Sequence, residues 1–232
     1  MSHTTPTDEV DSDDYDDEPV SRWSTFLPAS PRQWVALGAA LLFLAGALGY
    51  YLGSRDSGIP LRDSVDVGFL QDMITHHEQA IQMALIENSS GEEPGLQTFA
   101  REIILFQSYE IGLMDRQLNQ WGYRREKRSD TAMQWMGMAV AVDAMPGLAS
   151  PNEMQALREH TGPDIDALWI KLMQDHHAGG VHMAEYAAEH ASDPFVREIA
   201  ARMARNQRIE IGELDGARER ADLTDHPAGY GT

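Results

Sequence analysis

Two stretches one hundred residues apart constrain this chain more than any other feature: MITHHEQAIQMA from Met73 to Ala84 and MQDHHAGGVHMA from Met173 to Ala184. Met73 matches Met173, His76 matches His176, His77 matches His177, Met83 matches Met183, and Ala84 matches Ala184. A second pair keeps the same offset, QSYEIG at Gln107–Gly112 and QRIEIG at Gln207–Gly212. Two motifs repeated at one interval mark an internal duplication. The fold must therefore be one that two similar halves can build together.

Each half reads as a pair of helices. The first runs from Asp63 to Asn88 and ends at the turn-forming cluster NSSGEEPG. The second runs from Leu96 to about Trp121, with apolar residues at Phe99, Ile103, Phe106, Ile111 and Met114. The other half repeats this with helices over Asp164–Glu189 and Phe195–Arg220, the latter opened by Pro194. Residues 63–122 and 164–221 are thus the repeats and 123–163 their connection. That connection should hold a short helix near Met133–Val142 and another near Pro151–His160, the latter capped by Ser150. No stretch alternates with period two for long enough to argue a sheet. Two helical hairpins joined by a long connection predict an all-α four-helix bundle with a crossover over 63–221.

Helical spacing gathers the repeated residues on one face. Met73, His76, His77 and Met83 share a sector with Ala80 at its centre, and Met173, His176, His177 and Met183 share theirs with Gly180. Small residues at the centre leave space in front of these donors. The inward rows of the second helices, Ile103-Gln107-Glu110-Met114 and Met203-Gln207-Glu210-Leu214, are each interrupted by a glutamine and a glutamate. A buried carboxylate is costly without a partner, so His77 with Glu110 and His177 with Glu210 is the simplest pairing. Thioethers beside imidazoles are soft-metal ligands and favour copper, Cu(I) above all, with zinc or another divalent ion as an alternative. In that reading Gln107, Glu110, Gln207 and Glu210 stand behind the ligands. The competing reading is structural: methionines fill the core, and the His–Glu–Gln network fixes the register of the bundle.

Other chemistries are disfavoured. A di-iron carboxylate bundle needs Glu-x-x-His on two helices, but methionine stands three residues before His76 and His176. No phosphate-binding glycine loop or nucleophile elbow is present, and the chain reads as a non-enzyme. The absence of cysteine removes thiolate catalysis, disulfides and cysteine-zinc sites. A net charge of −19 argues against nucleic acid as partner. Eight of the acidic residues fall in DEVDSDDYDDE, Asp8–Glu18, so residues 1–32 read as an acidic disordered arm. His182, matched by Gln82, falls off the inward face and reads as exposed. Met133, Met136, Met138, Met145 and Met154 enrich the connection, as packing or as a path for soft ions.

From Gln33 to Ser54 there is no charged residue, and Trp34, Tyr50 and Tyr51 stand at the ends of the run. Twenty-two helical residues rise about 33 Å, enough to cross a bilayer core of roughly 30 Å. A transmembrane helix over 33–54 is the expectation; a signal peptide cleaved after Ala47 is the alternative. Arginines at 22, 32, 55 and 62 flank the span on both sides and set no orientation.

These residues resemble the bacterial family known as domain of unknown function 305, over roughly Asp63–Ala221. The resemblance is carried by FLQDMITHHEQAIQMA, by MPGLASPNEMQALREHTGPDIDALWIKLMQDHHAGGVHMA and by the two Gln-x-x-Glu-Ile segments. It implies a ferritin-like bundle, commonly exported or membrane-anchored, with some members linked to copper binding and tolerance. The family's His-His and Met positions correspond to His76, His77, Met73 and Met83 and to their counterparts in the second copy. This chain lacks the dense Met/His tails of relatives that carry much copper. With the missing cysteines, the resemblance places the domain outside the cytoplasm on a single-pass anchor. The expected function is copper binding or buffering; the alternative is a non-catalytic structural or interaction module of the cell envelope.

Overall fold

A computed structural model describes residues 30–53, 58–124 and 130–223. The acidic run Asp8–Glu18 lies outside these residues. The described residues form an all-α protein of six helices in two separate units. The first unit is α1, Pro31–Gly53, long and apolar enough to cross a membrane, with a mean hydropathy of 1.7.

The second unit carries α2 (Val65–Ser90), α3 (Pro94–Gln120), α4 (Pro151–Glu159), α5 (Pro163–His190) and α6 (Pro194–Arg220). The caps follow from local sequence. Ser64 accepts the Val67 N–H at the start of α2, and Asp193 accepts those of Phe195 and Val196 at the start of α6. Ser150 and Glu153 form a reciprocal capping box on α4, with Pro151 in its first turn. The four long helices match the expected bounds to within two residues.

Between α3 and α4 the expected helix near Met133–Val142 does not form. Met133 and Gly137 take left-handed backbone, with φ of 61° and 74°, and confine the helical geometry to one 3-10 turn at Gln134–Met136. Strands β1 (Thr131–Ala132) and β2 (Val140–Ala141) pair across it in antiparallel register, and a second 3-10 turn follows at Val142–Ala144. Two-residue strands are too short to leave any alternation in the sequence. Asp72 anchors this segment, its Oδ2 accepting the Met133 N–H and the Trp135 Nε1–H, both at 2.7 Å.

Helix α2 packs on α3, α5 on α6, and α2 and α5 on each other. Two aspartates tie the hairpins together reciprocally. Asp66 near the start of α2 accepts the Ser192 and Asp193 N–H groups of the α5–α6 turn, at 3.3 and 2.7 Å. Asp166 near the start of α5 accepts those of Glu92 and Glu93 in the α2–α3 turn, both at 2.9 Å. The start of each central helix thus meets the end of the other, so α2 and α5 run antiparallel about a pseudo-twofold axis.

The connection covers one side of the α2–α5 pair. Gln79 exchanges two hydrogen bonds with the Ala149 backbone, at 2.7 and 2.8 Å. At the matching position in α5, Gly179 lets the chain in: a Cβ there would lie 2.1 Å from the Pro146 carbonyl oxygen. Helices α3 and α6 flank the opposite side without packing closely, leaving a groove of about 700 Å³ between them.

The core falls into two apolar clusters. One holds Phe69, Met73, Met114, Met183 and Met203; the other holds Met83, Ile103, Trp169, Met173 and Leu214. Phe106, expected among the apolar positions of α3, is 63% exposed and belongs to neither.

Candidate functional site

Between the two clusters lies a polar layer. Along α2 it falls between Met73 and Met83, and along α5 between Met173 and Met183. His76, His77, His176 and His177 occupy it, all buried. His76 and His176 meet at the pseudo-twofold crossing, with ring centroids 3.8 Å apart and planes tilted by 37°. Helices α3 and α6 contribute Gln107 and Gln207, both buried, and the half-buried Glu110 and Glu210.

The pairing of each hairpin's histidine with its own glutamate is present. His77 Nε2 donates to Glu110 Oε2 at 2.9 Å, and His177 Nε2 donates to Glu210 Oε2 at 2.6 Å. The inner two rings use backbone instead. His76 Nε2 donates to the Pro146 carbonyl at 3.2 Å, and His176 Nε2 to the His76 carbonyl at 2.9 Å. All four acceptors are oxygens, so every ring keeps a proton on Nε2. In the neutral ring the lone pair then sits on Nδ1.

All four Nδ1 atoms are buried without a hydrogen-bond partner. Burial, reinforced by neighbouring His77, pushes His76 from 6.5 down to about 3. His176 is held well below its ordinary value by burial first and by the other three histidines second. Both inner rings are therefore neutral, with lone pairs available to a Lewis acid. An unpartnered buried acceptor costs about 1–3 kcal/mol. Four of them in one layer call for a ligand or a further donor.

The methionines flank this layer. Met73 and Met183 lie in one apolar cluster and Met83 and Met173 in the other, all four fully buried. The donor set suits a soft metal in chemistry. Yet among the described residues no group of three or more His, Asp or Glu side chains is arranged to hold a metal ion. An ion held here would draw on thioethers or require ring rotation.

The space expected over Gly180 is taken. A Cβ at Gly180 would lie 2.3 Å from Gln207 Oε1, so the glutamine amide fills the hollow that the glycine makes. Both amide atoms of Gln207 and the Gln107 Oε1 lack partners, as the imidazoles do. His182 is exposed and lies outside the layer. In the connection, Met133, Met145 and Met154 are buried as packing, and Met138 is 40% exposed.

Sequence reading missed Asp66, Asp166, Asp72 and the Pro146–Gly147 contact. The signal for the first two was available, because they stand at the same hundred-residue offset as the histidines. Asp72 faces Leu172 in the repeat and carries no such mark.

Solved structures resemble this chain over most of the second unit. A DUF305 protein from Streptomyces coelicolor is 31% identical with a TM-score of 0.66, covering 71% of this chain and 98% of its own. A DUF305 fragment from Deinococcus radiodurans is 26% identical with a TM-score of 0.58, covering 67% and 96%. CopM in its Cu(I)-bound form is 27% identical with a TM-score of 0.52, again covering 67% and 96%. None of the curated protein sequences matches. The family model for "Domain of unknown function (DUF305)" matches residues 66–218, which cover the four helices of the two hairpins but for one residue at the start of α2 and two at the end of α6. The chain belongs to the DUF305 family.

Proposed function

We propose that this protein binds copper as cargo, favouring Cu(I), on the His/Met faces of α2 and α5, in a domain that α1 anchors outside the cytoplasm. The observation that carries this reading is the layer of four buried, unpartnered imidazole Nδ1 atoms between two pairs of buried thioethers. Imidazole and thioether together favour copper over harder ions. The likeness to CopM, whose Cu(I)-bound and Cu(II)-bound forms both match, supports the same metal. The apolar length of α1 supports the anchor.

Eight donors cannot serve one ion. Met73 and Met83 are ten helical residues apart, roughly 15 Å of rise. The repeat instead supplies two half-sites, each pairing histidines of the layer with methionines beside it. Glu110 and Glu210 hold the outer rings by their Nε2–H groups, which fixes the tautomer and turns Nδ1 toward a ligand role. Imidazole and thioether donors suit holding and handing on a soft metal, as a buffer or chaperone.

A structural reading stands against it, favoured by two observations: every Nε2 of the layer already has an internal partner, and among the described residues no preformed three-residue cluster exists. Competition titration with a Cu(I) chelator separates the two. Replacing His76, His77, His176 and His177 by Ala should abolish tight binding, whereas His182→Ala should leave it unchanged. A folded quadruple variant that binds as well as the parent would refute the ligand assignment.

A further inference from the structure

The groove between α3 and α6 has features that metal binding does not use. Its walls carry Phe99, Leu105, Phe106, Tyr109 and Ile209, and the last four are more than half exposed. Four carboxylates line it, Glu102 and Glu110 from α3 and Glu210 and Glu213 from α6. Arg202 is the single basic residue among the described residues that line it. At its floor lie Gln107 and Gln207, 4% exposed, whose amide oxygens have no hydrogen-bond partner.

Each feature restricts the occupant. Exposed aromatic faces with a volume of about 700 Å³ suit a drug-sized apolar body rather than a hydrated ion. Carboxylates exceed bases by three among the lining residues, which repels anions, acidic peptides and a second copy of this acidic chain. Aromatic rings and carboxylates together attract positive charge on an apolar frame.

From this chemistry we infer that the α3–α6 groove is a binding site for a lipophilic organic cation, an aryl-substituted ammonium or amine. The site is separate from the methionine faces. It shares Glu110 and Glu210 with the histidine layer, but its outer wall, Phe106 and Tyr109, is more than half exposed and lies outside that buried layer.

The test uses the full chain in nonionic detergent, metal-free, titrated calorimetrically with benzyltrimethylammonium. Phenylmethanesulfonate, of similar size and opposite charge, is the control. The cation should bind at least about tenfold more tightly than the sulfonate, and more weakly as salt is raised. Phe106→Ala with Tyr109→Ala should weaken the cation about tenfold, while Cu(I) affinity stays at the parent value. Glu102→Gln with Glu213→Gln should weaken it about threefold and flatten the salt dependence. These side chains are exposed, so the variants keep their fold. Equal binding of cation and sulfonate, or undiminished cation binding by the aromatic double variant, would overturn the proposal.

Discussion

At the scale of single residues, the site depends on which nitrogen each histidine offers. Glu110 and Glu210 settle this for the outer rings by accepting Nε2–H. Glu110→Gln keeps the shape and an acceptor but removes the charge. If the glutamate orients a ligand, Cu(I) affinity should fall about ten- to a hundredfold. If it is only a strut, stability falls by roughly 1–3 kcal/mol and affinity holds. Chelator competition and chemical denaturation on one folded variant tell these apart. Two neighbouring glycines make a sharper comparison. Alanine at Gly180 meets the end of a flexible side chain, Gln207, whereas alanine at Gly179 meets the Pro146 backbone carbonyl. A helical Gly-to-Ala change gains about 1 kcal/mol in propensity. Gly180→Ala should therefore be nearly neutral, and Gly179→Ala should cost about 2 kcal/mol or more in urea denaturation, because backbone cannot step aside. The His–Glu pairing was legible from periodicity, since both partners recur on inward rows at fixed spacing. The filling of Gly180 by Gln207 was not, because sequence shows a missing side chain and never what occupies its place.

At the scale of elements, the turns between hairpin helices are held from a distance. Asp66 and Asp166 each accept two backbone N–H groups in the opposite half. Either aspartate changed to Ala strands two donors and should cost about 1–3 kcal/mol or more, read as a lower melting temperature. One turn carries an extra load. Glu87 at the end of α2 is buried beside Asp166, and its carboxyl is pushed from 4.5 up to about 8, by burial first and by Asp166 second. Its folded value lies above its unfolded one, so the unfolded chain loses the proton first. The contribution to stability is full below about 4.5 and is lost as pH rises through 8. Glu87→Gln should remove that loss, so parent and variant melting temperatures diverge between about pH 4.5 and 8 and run parallel above it. Helix bounds were readable from caps, prolines and the repeat. The 131–144 segment was not, because two left-handed residues and a long-range carboxylate decide it, and methionine at a positive φ announces nothing in a sequence.

For the whole molecule, the prediction concerns placement. A reporter joined after Thr232 should read as exported, and the protein should stay with membranes after carbonate washing. Recovery of a soluble form beginning at Leu48 would show instead that the apolar helix is a cleaved signal. The fold itself holds a further consequence in the crossed grip of Asp66 and Asp166. Because each hairpin clamps the other's turn and not its own, the domain has the geometry of a homodimer whose two subunits share one chain. Joined subunits need not stay alike. Where the halves meet, as at Asp66/Asp166 and His76/His176, the residues match; where the connection touches the two halves differently, as at Gln79/Gly179 and Asp72/Leu172, they differ. Under the proposed copper role, a symmetric ancestor would load two ions with equal strength. With one inner ring on the Pro146 carbonyl and the other on helix backbone, the two proposed half-sites would fill in sequence, spreading uptake over a wider span of free metal than an identical pair could cover.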